Sequence, residues 1–143
     1  MKILALIFLI GVTVVSQTSD RFRSKYGAPI SETYLVSPGV LATVKYSKDG
    51  HPCSATIAQP QSKAKEKPKP LTADAMRLIV NEFVTDSDRG KLVNSGFINL
   101  TCVDCESIYG GFEQYEKLRI TTGSNGDGNE TASIQWQGVS CDR

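Results

Sequence analysis

The sequence predicts an α+β domain in which an antiparallel sheet of about five strands carries one amphipathic helix on one face, with disulfides as cross-links. Three observations lead to this fold class. Residues 31–58 alternate apolar and polar side chains around a hairpin turn, residues 72–86 carry one helical stripe of apolar side chains, and residues 117–139 alternate again around a polar loop. Strands without helices between them pair antiparallel, and one apolar stripe covers one face of a sheet.

The first 16 residues predict a secretion signal. Lys2 gives a short positive start, and residues 3–15 contain no charge. This apolar stretch is shorter than the roughly 20 residues that span a bilayer, but its length suits a signal peptide. We therefore expect a signal peptide at 1–16, a single domain at 17–143 without a membrane span, and a secreted or periplasmic protein.

The charge balance of the chain argues against a nucleic-acid partner. The sequence holds 16 basic and 15 acidic residues, and Lys2 leaves with the signal. Nucleic-acid binders normally have an excess of Lys and Arg, because neutralised phosphates supply most of their sequence-independent affinity. The lysine cluster at 63–69 is interrupted by Pro68 and contains Glu66, which is typical of a solvated linker.

A hairpin turn at Asp49-Gly50 predicts the register of the two strands around it. The Asp-Gly pair is favoured in two-residue hairpin loops, and such a loop fixes every later pair of residues. The resulting pairs collect apolar side chains on one side of the ribbon and place Cys53 on the buried face. The expected pairs are Lys48 with His51, Tyr46 with Cys53, Val44 with Ala55, and Ala42 with Ile57.

Residues 59–71 are expected to form a Lys- and Pro-rich surface connector, because neither a helix interior nor a central strand tolerates this composition. A helix is expected to begin at Thr72, which is a good N-cap residue, and to end near Asp86. Its apolar positions follow the spacing i, i+3, i+4, i+7, so one face must pack against the sheet. That face consists of Met76, Ile79, Val80 and Phe83.

The C-terminal half contains one ambiguous segment and two clearer strands. Residues 91–115 contain one short strand pattern at 96–102, followed by the glycine pair Gly110-Gly111. Residues 117–122 and 131–139 alternate and enclose a loop rich in Gly, Asn and Asp, which predicts a second hairpin. The side chains expected to face inward are Leu118, Ile120, Ala132, Ile134 and Trp136.

The segment from Tyr26 to Cys53 contains YGAP and YLVSPGVLATVKYSKDGHPC, and a final Cys follows a Trp-containing strand. In these turn and strand residues the chain resembles small exported bacterial proteins of uncharacterised function. The resemblance covers about half of residues 17–143. It implies no activity, and no catalytic or binding residue is transferred from it. The close pair Cys102 and Cys105 departs from that pattern.

All four cysteines, Cys53, Cys102, Cys105 and Cys141, lie in the part of the chain that is expected to be exported. An oxidising compartment favours disulfides for an even set, and four cysteines allow three connectivities. We predict that Cys53 joins one member of the close pair Cys102 and Cys105, while Cys141 joins the other. Any bond from Cys53 closes a long loop, which by the chain-entropy model stabilises the fold by about 4 kcal/mol.

The cysteines also allow a redox or a zinc interpretation. Residues 102–105 have the C-x-x-C spacing of thiol oxidoreductases, but the nearby Asp104 and Glu106 raise a thiol pKa instead of lowering it. A structural zinc site usually takes two close pairs of ligands, and this chain has one such pair and the single His51. We expect neither a metal nor another cofactor.

No catalytic residues are predicted. His51 is the only histidine, and it stands at a turn where nothing in the sequence orients its ring. Glu113 and Glu116 have the spacing of solvated surface carboxylates rather than of a glycosidase pair. Residues 125–130 begin like a calcium loop, but the sixth position lacks Gly and the twelfth lacks Glu, so we expect a plain hairpin loop.

The sequence alone leaves three functions open, of which we favour the first. This is a non-enzymatic exported module that binds a protein, a peptide or an envelope component through exposed strand edges. The second is a binder of small apolar ligands with a pocket between helix and sheet, and the third is a thiol oxidoreductase that uses Cys102 and Cys105. The residues expected to line the apolar pocket, unless they simply fill the core, are Met76, Phe83, Tyr46 and Trp136.

Overall fold

The computed structural model describes residues 21, 23–60, 69–100, 108–124 and 129–141, with the backbone alone at 99, 100, 108 and 109. The expected signal peptide, most of the lysine-rich connector and residues 125–128 of the polar loop lie outside the described residues. Cys102 and Cys105 lie outside them as well.

Within the described part of the chain, seven strands form one antiparallel sheet in the order β1-β2-β3-β7-β6-β5-β4. Two short helices lie between β3 and β4 in the chain, and residues 23–26 are also helical. The first three strands form one meander and the last four form another, and β3 joins the two by pairing with β7. The elements are β1 Ser31–Ser37, β2 Val40–Tyr46, β3 Pro52–Ala58, α1 Ala73–Phe83, α2 Asp86–Arg89, β4 Leu92–Leu100, β5 Ile108–Tyr115, β6 Leu118–Ser124 and β7 Glu130–Trp136.

The predicted fold class is wrong in its elements: the described residues form seven strands and more than one small helix, where about five strands and a single helix were expected. The missing strands come mainly from residues 91–115, where one short strand was expected and the long hairpin of β4 and β5 forms. Glycines at 96, 110 and 111 hide the alternating pattern there, because glycine has low strand propensity and no side chain to pack. In the hairpin the Phe112 ring covers Gly96, where a Cβ atom would lie 2.9 Å from Cε1 of that ring.

The first hairpin confirms part of the predicted register. Val44 pairs with Ala55 and Ala42 pairs with Ile57, as the sequence predicts. All four of these side chains are buried on the core face. The agreement follows from the apolar alternation, which allows only one face of each strand to be buried.

The register at the turn itself differs from the prediction, in which Lys48 faces His51 and Tyr46 faces Cys53. The amide of Ser47 donates to the carbonyl of His51 at 2.8 Å, and the amide of Gly50 donates to the carbonyl of Ser47 at 3.1 Å. The loop therefore has three residues, with Gly50 at φ 79°, in the left-handed conformation that such loops require. Tyr46 consequently pairs with Pro52, and a bulge at Cys53 restores the predicted register from Ser54 onward.

The core lies on one face of the sheet, between the central strands and α1. Side chains from β2, β3, β6 and β7 meet the helix residues Met76 and Val80, which are buried. Thr72 caps α1 as predicted, since its hydroxyl accepts a hydrogen bond from the amide of Ala75 at 3.3 Å. The inward positions predicted for the C-terminal strands are buried at Leu118, Ile120, Ala132 and Ile134, and Trp136 packs against the core.

Candidate functional site

A disulfide joins Cys53 to Cys141, with their Cα atoms 5.4 Å apart. The predicted map, in which each of these residues bonds to one member of the close pair, is therefore wrong. The reason is the pairing of β3 with β7, which places Ser54 opposite Gln135 and brings the residues after β7 next to Cys53. This pairing joins two strands that are far apart in the sequence, and no local sequence pattern predicts it.

The remaining candidates from the sequence are the other two cysteines, a set of metal ligands and His51. No cysteine among the described residues is free, and Cys102 and Cys105 lie outside those residues. In the described part of the chain, no group of three or more His, Cys, Asp or Glu side chains is placed to hold a metal ion. His51 lies exposed at the end of the first hairpin turn.

The two acidic residues weighed for glycoside chemistry both take part in local hydrogen bonds. A carboxylate oxygen of Glu113 accepts from the Tyr115 hydroxyl at 2.9 Å. A carboxylate oxygen of Glu116 accepts from the amide of Lys91 at 3.0 Å and so holds the start of β4. Each carboxylate thus has its own structural partner, and no hydrogen bond links the two as a pair.

The four residues expected to line an apolar pocket are used in packing. Met76 is fully buried in the core, and Tyr46, Phe83 and Trp136 are partly buried against it. A shallow groove of about 280 Å³ lies beside α1, and Phe83 is the one expected residue among its lining, with Val36, Ile79 and Glu82. Packing in or against the core therefore accounts for the position of all four side chains.

A hydrogen-bonded cluster occupies the core-side surface of β1 and β2. One carboxylate oxygen of Glu32 accepts from the hydroxyls of Tyr34 and, at 2.8 Å, of Tyr46. The other oxygen forms an ion pair with Arg23 at 2.9 Å. The Tyr34 hydrogen bond, followed by that of Tyr46, lowers the pKa of Glu32 below its ordinary value of 4.5. The hydrogen bond with Tyr34 and partial burial raise the pKa of Tyr46.

The lowered pKa of Glu32 predicts a loss of stability in acid. A carboxylate with a pKa lower in the folded state stabilises the fold above its unfolded pKa, and this contribution disappears as pH falls through the folded value. We expect the free energy of unfolding of the wild type, measured by urea denaturation, to fall more steeply below about pH 4.5 than that of Glu32→Gln. The exposed helix residue Glu82 provides the control, because Glu82→Gln should leave the acid limb unchanged. Parallel curves for wild type and Glu32→Gln would contradict the assignment.

The outer edge of β4 exposes a set of apolar side chains that the sequence analysis did not single out. Phe97 is 96% exposed, and Leu92 and Val93 are more than half exposed. Phe97 pairs with Gly111, which has no side chain to pack beside the ring. Its row continues through Thr122 to the buried Ala132, so the ring stands on the side of the sheet that carries the core. Because α1 packs against β7 and β1, β4 lies three strands away from the helix contact at β7.

Comparison with family models, curated proteins and solved structures finds no match for this chain. Among the described residues, no helix has the length and apolar character needed to cross a membrane. The disulfide between Cys53 and Cys141 is compatible with an oxidising compartment outside the cytosol.

Proposed function

We propose that this protein is a non-enzymatic exported module that binds an extended, uncharged segment of another protein along the outer edge of β4. Export is supported by the signal-like leader and by the disulfide, which persists in oxidising compartments. The observation that carries the binding proposal is an uncharged edge strand of nine residues with an almost fully exposed phenylalanine.

An edge strand offers a row of backbone donors and acceptors that a further strand can satisfy. Natural proteins usually protect such edges with lysine, proline or short strand length. The sequence of β4, LVNSGFINL, contains no charged residue and no proline, and no other strand of the described chain is longer. The strand has one irregularity, between Leu92 and Asn94, which leaves the register from Asn94 to Leu100 continuous. Within the described part of the chain β4 pairs only with β5, so its outer edge is open to strand addition along most of its length.

The other edge of the sheet is less suited to a partner. β1 carries the charged Glu32, and its register shifts between Leu35 and Ser37. Tyr34 and Arg23 both contact that carboxylate, and α1 packs against the same strand. A peptide that added to β1 would have to fit around these side chains, whereas β4 presents no such cluster among the described residues.

The chemistry of β4 defines the partner. An added strand places its side chains beside those of β4 with a period of two, so one face of the partner lies next to Phe97. Phe97 is almost fully exposed, so an apolar residue of the partner that lies beside its ring is favoured. No charge on β4 compensates a charged residue of the partner, so we expect an uncharged segment that alternates apolar and polar residues.

Strand addition can be tested with an acetylated and amidated six-residue peptide of alternating Val and Thr. We expect it to slow hydrogen exchange of β4 backbone amides and to leave those of β1 unaffected. Phe97→Lys should weaken binding at least about tenfold, because it places a charge and removes the exposed ring at the centre of the contact. The matched control is Leu78→Lys, which makes the same kind of change at a 71% exposed position of α1 and should leave the affinity unchanged.

Two results would count against this proposal. Protection of β1 amides instead of β4 amides would place the contact at the wrong edge. Equal affinities for Phe97→Lys and Leu78→Lys would show that β4 takes no part. Dimerisation with rising protein concentration, abolished by Phe97→Lys, would keep β4 as the contact and make a second copy of the chain its partner.

One observation bears on the thiol oxidoreductase alternative. With Cys53 bonded to Cys141, Cys102 and Cys105 have only each other as partners within the chain. That pairing is the one a C-x-x-C redox centre requires. The acidic neighbours Asp104 and Glu106 oppose a low thiol pKa, so binding remains the function we propose.

A further inference from the structure

A polar groove of about 610 Å³ lies at one end of the sheet, on the face opposite the core. This volume lies within the usual range of ligand sites, about 300–1,000 Å³. On four of the five strands the floor residue is the neighbour in sequence of a buried core residue, and Gln114 on the fifth strand pairs with Arg119, which fixes the face to which the floor belongs. The floor is a continuous row across five strands, formed by Lys45, Ser54, Gln135, Arg119 and Gln114.

The C-terminal segment forms one wall of this groove. After β7 the chain turns at Gly138, and residues 137–141 line the groove before the disulfide ties Cys141 to Cys53. The Sγ atom of Cys141 lies 3.5 Å from the Ser54 hydroxyl oxygen, so the wall contacts the floor. The disulfide therefore fixes the width of the groove at this point.

Among its described lining residues, the groove carries positive charge and no carboxylate. Lys45 and Arg119 line it, and none of its described lining residues is Asp or Glu. Among the described residues, neither cation has a carboxylate within ion-pair distance. The guanidinium of Arg119 lies over the Phe112 ring at 4.8 Å, and its Nε is buried without a hydrogen-bond acceptor. Arg119 is thus held against an aromatic ring, and no carboxylate among the described residues pairs with its guanidinium.

The spacing of the row sets the shape of a ligand. Lys45 and Arg119 are three strands apart, which corresponds to about 14 Å at the usual strand spacing. Between them lie Ser54 and Gln135, whose hydroxyl and amide groups both donate and accept hydrogen bonds. Sugar hydroxyls also both donate and accept hydrogen bonds, so they suit the middle of the row. A ligand with a carboxylate at each end would place one beside Lys45 and the other beside Arg119.

We propose that this groove binds a short acidic saccharide, with one carboxylate at Arg119, another toward Lys45 and sugar hydroxyls against Ser54 and Gln135. The site is independent of the β4 edge, because it lies on the other face and at a different set of strands. Since the wall depends on Cys53 and Cys141, binding requires the intact disulfide.

The probe is trigalacturonate, titrated at low salt into the ¹⁵N-labelled, oxidised protein while backbone amide shifts are recorded. We expect saturable shifts at Ser54, Gln135 and Arg119, no binding of neutral maltotriose, and weakening when salt is raised to screen the charges. Arg119→Gln and, separately, Lys45→Gln should each weaken binding at least about fivefold. Lys45 is exposed, so its variant reports on binding even if loss of the Arg119 contact with Phe112 perturbs folding.

The exposed Arg77 of α1 provides the control, since Arg77→Gln should bind as the wild type does. Reduced protein should lose most of the affinity while the shifts of the central strands stay in place. Three outcomes would overturn the proposal: shifts that never saturate, equal binding by Arg77→Gln, Arg119→Gln and Lys45→Gln, or tighter binding of triglutamate than of trigalacturonate.

Discussion

Replacing both Cys53 and Cys141 by serine is expected to lower the free energy of unfolding by about 4.6 kcal/mol. The two cysteines are 88 residues apart, so the bond restricts most of the ordered chain in the unfolded state. In the chain-entropy model the stabilisation grows with the logarithm of the loop length, which makes this the larger of the cross-links that the sequence allows. Urea denaturation of the oxidised wild type and of the double variant measures the difference.

The control for this experiment is the double replacement of Cys102 and Cys105 by serine. A bond between these residues closes a ring of a few residues, so its removal should cost less than half as much. Equal losses for the two double variants would contradict the argument. So would a non-reducing peptide map that links Cys53 to Cys102 or Cys105 instead of Cys141.

The same samples test the redox alternative. If the peptide map recovers Cys102 linked to Cys105, a thiol titration of the native protein at graded reduction potential reports the stability of that bond. Reduction within the glutathione range would favour an oxidoreductase, whereas resistance to it would identify a structural disulfide.

The first hairpin shows how far local sequence predicts this fold. The alternation of β2 and β3 correctly predicts that Val44 pairs with Ala55, because only one register buries both apolar sets. The turn was predicted one residue too short, since Asp49-Gly50 fits both a two-residue loop and the second half of a three-residue loop. The bulge at Cys53 compensates for the extra loop residue, so the predicted pairs from Ser54 onward are still correct. The apolar pattern is the same with or without the longer loop and the bulge, so it could not predict either of them.

The pairing of β3 with β7 is the feature that sequence patterns could not supply. It joins Ile57 to Ala132 across the helices and the long second meander, and apolar alternation identifies faces but not neighbours. The predicted disulfide map depended on that missing neighbour, and so did the floor of the groove. Lys45 and Arg119 stand in different predicted hairpins, so their common row appears only when β3 and β7 are paired.

The exposed edge was missed for a different reason. Phe97 follows Gly96, and this glycine weakens the alternating pattern of the strand. An aromatic residue in such a segment is usually interpreted as a core residue. The sequence contained one indication of this edge, which is the absence of charged residues from 92 to 100. The nearest charged residues on either side are Lys91 and Asp104. A long uncharged segment of strand-forming residues marks either a central strand or an unprotected edge, and the topology decides between them.

Arg89 is the second position where a single change should have a large effect. It is a buried cation with 6% exposure, and it lies at the end of α2 against the C-terminus of α1. Its Nε donates to the carbonyl of Val84 at 2.9 Å, and one Nη donates to the carbonyl of Val80 at 3.2 Å and to the side-chain oxygen of Asn81 at 2.7 Å. The guanidinium also lies 5.6 Å from the centre of the Tyr115 ring.

These contacts compensate the burial of the charge without a carboxylate. The last turn of α1 contains no basic residue of its own, so Arg89 supplies the donors and the positive charge that a helix C-terminus favours. Removing the side chain leaves the buried carbonyl of Val84 without its donor and a space beside Tyr115, each of which costs about 1–3 kcal/mol. Packing of α1 on the sheet therefore depends on a residue outside that helix.

We expect Arg89→Ala to lower the free energy of unfolding by about 3 kcal/mol, measured by urea denaturation at neutral pH. Arg89→Lys should recover only part of this loss, because a single ammonium group cannot present the planar fork that reaches two carbonyls and an amide oxygen together. Arg77→Ala on the exposed side of α1 is the matched control and should change stability by no more than about 0.5 kcal/mol. A loss for Arg89→Ala no larger than that for Arg77→Ala would show that water satisfies the helix end as well as the guanidinium does.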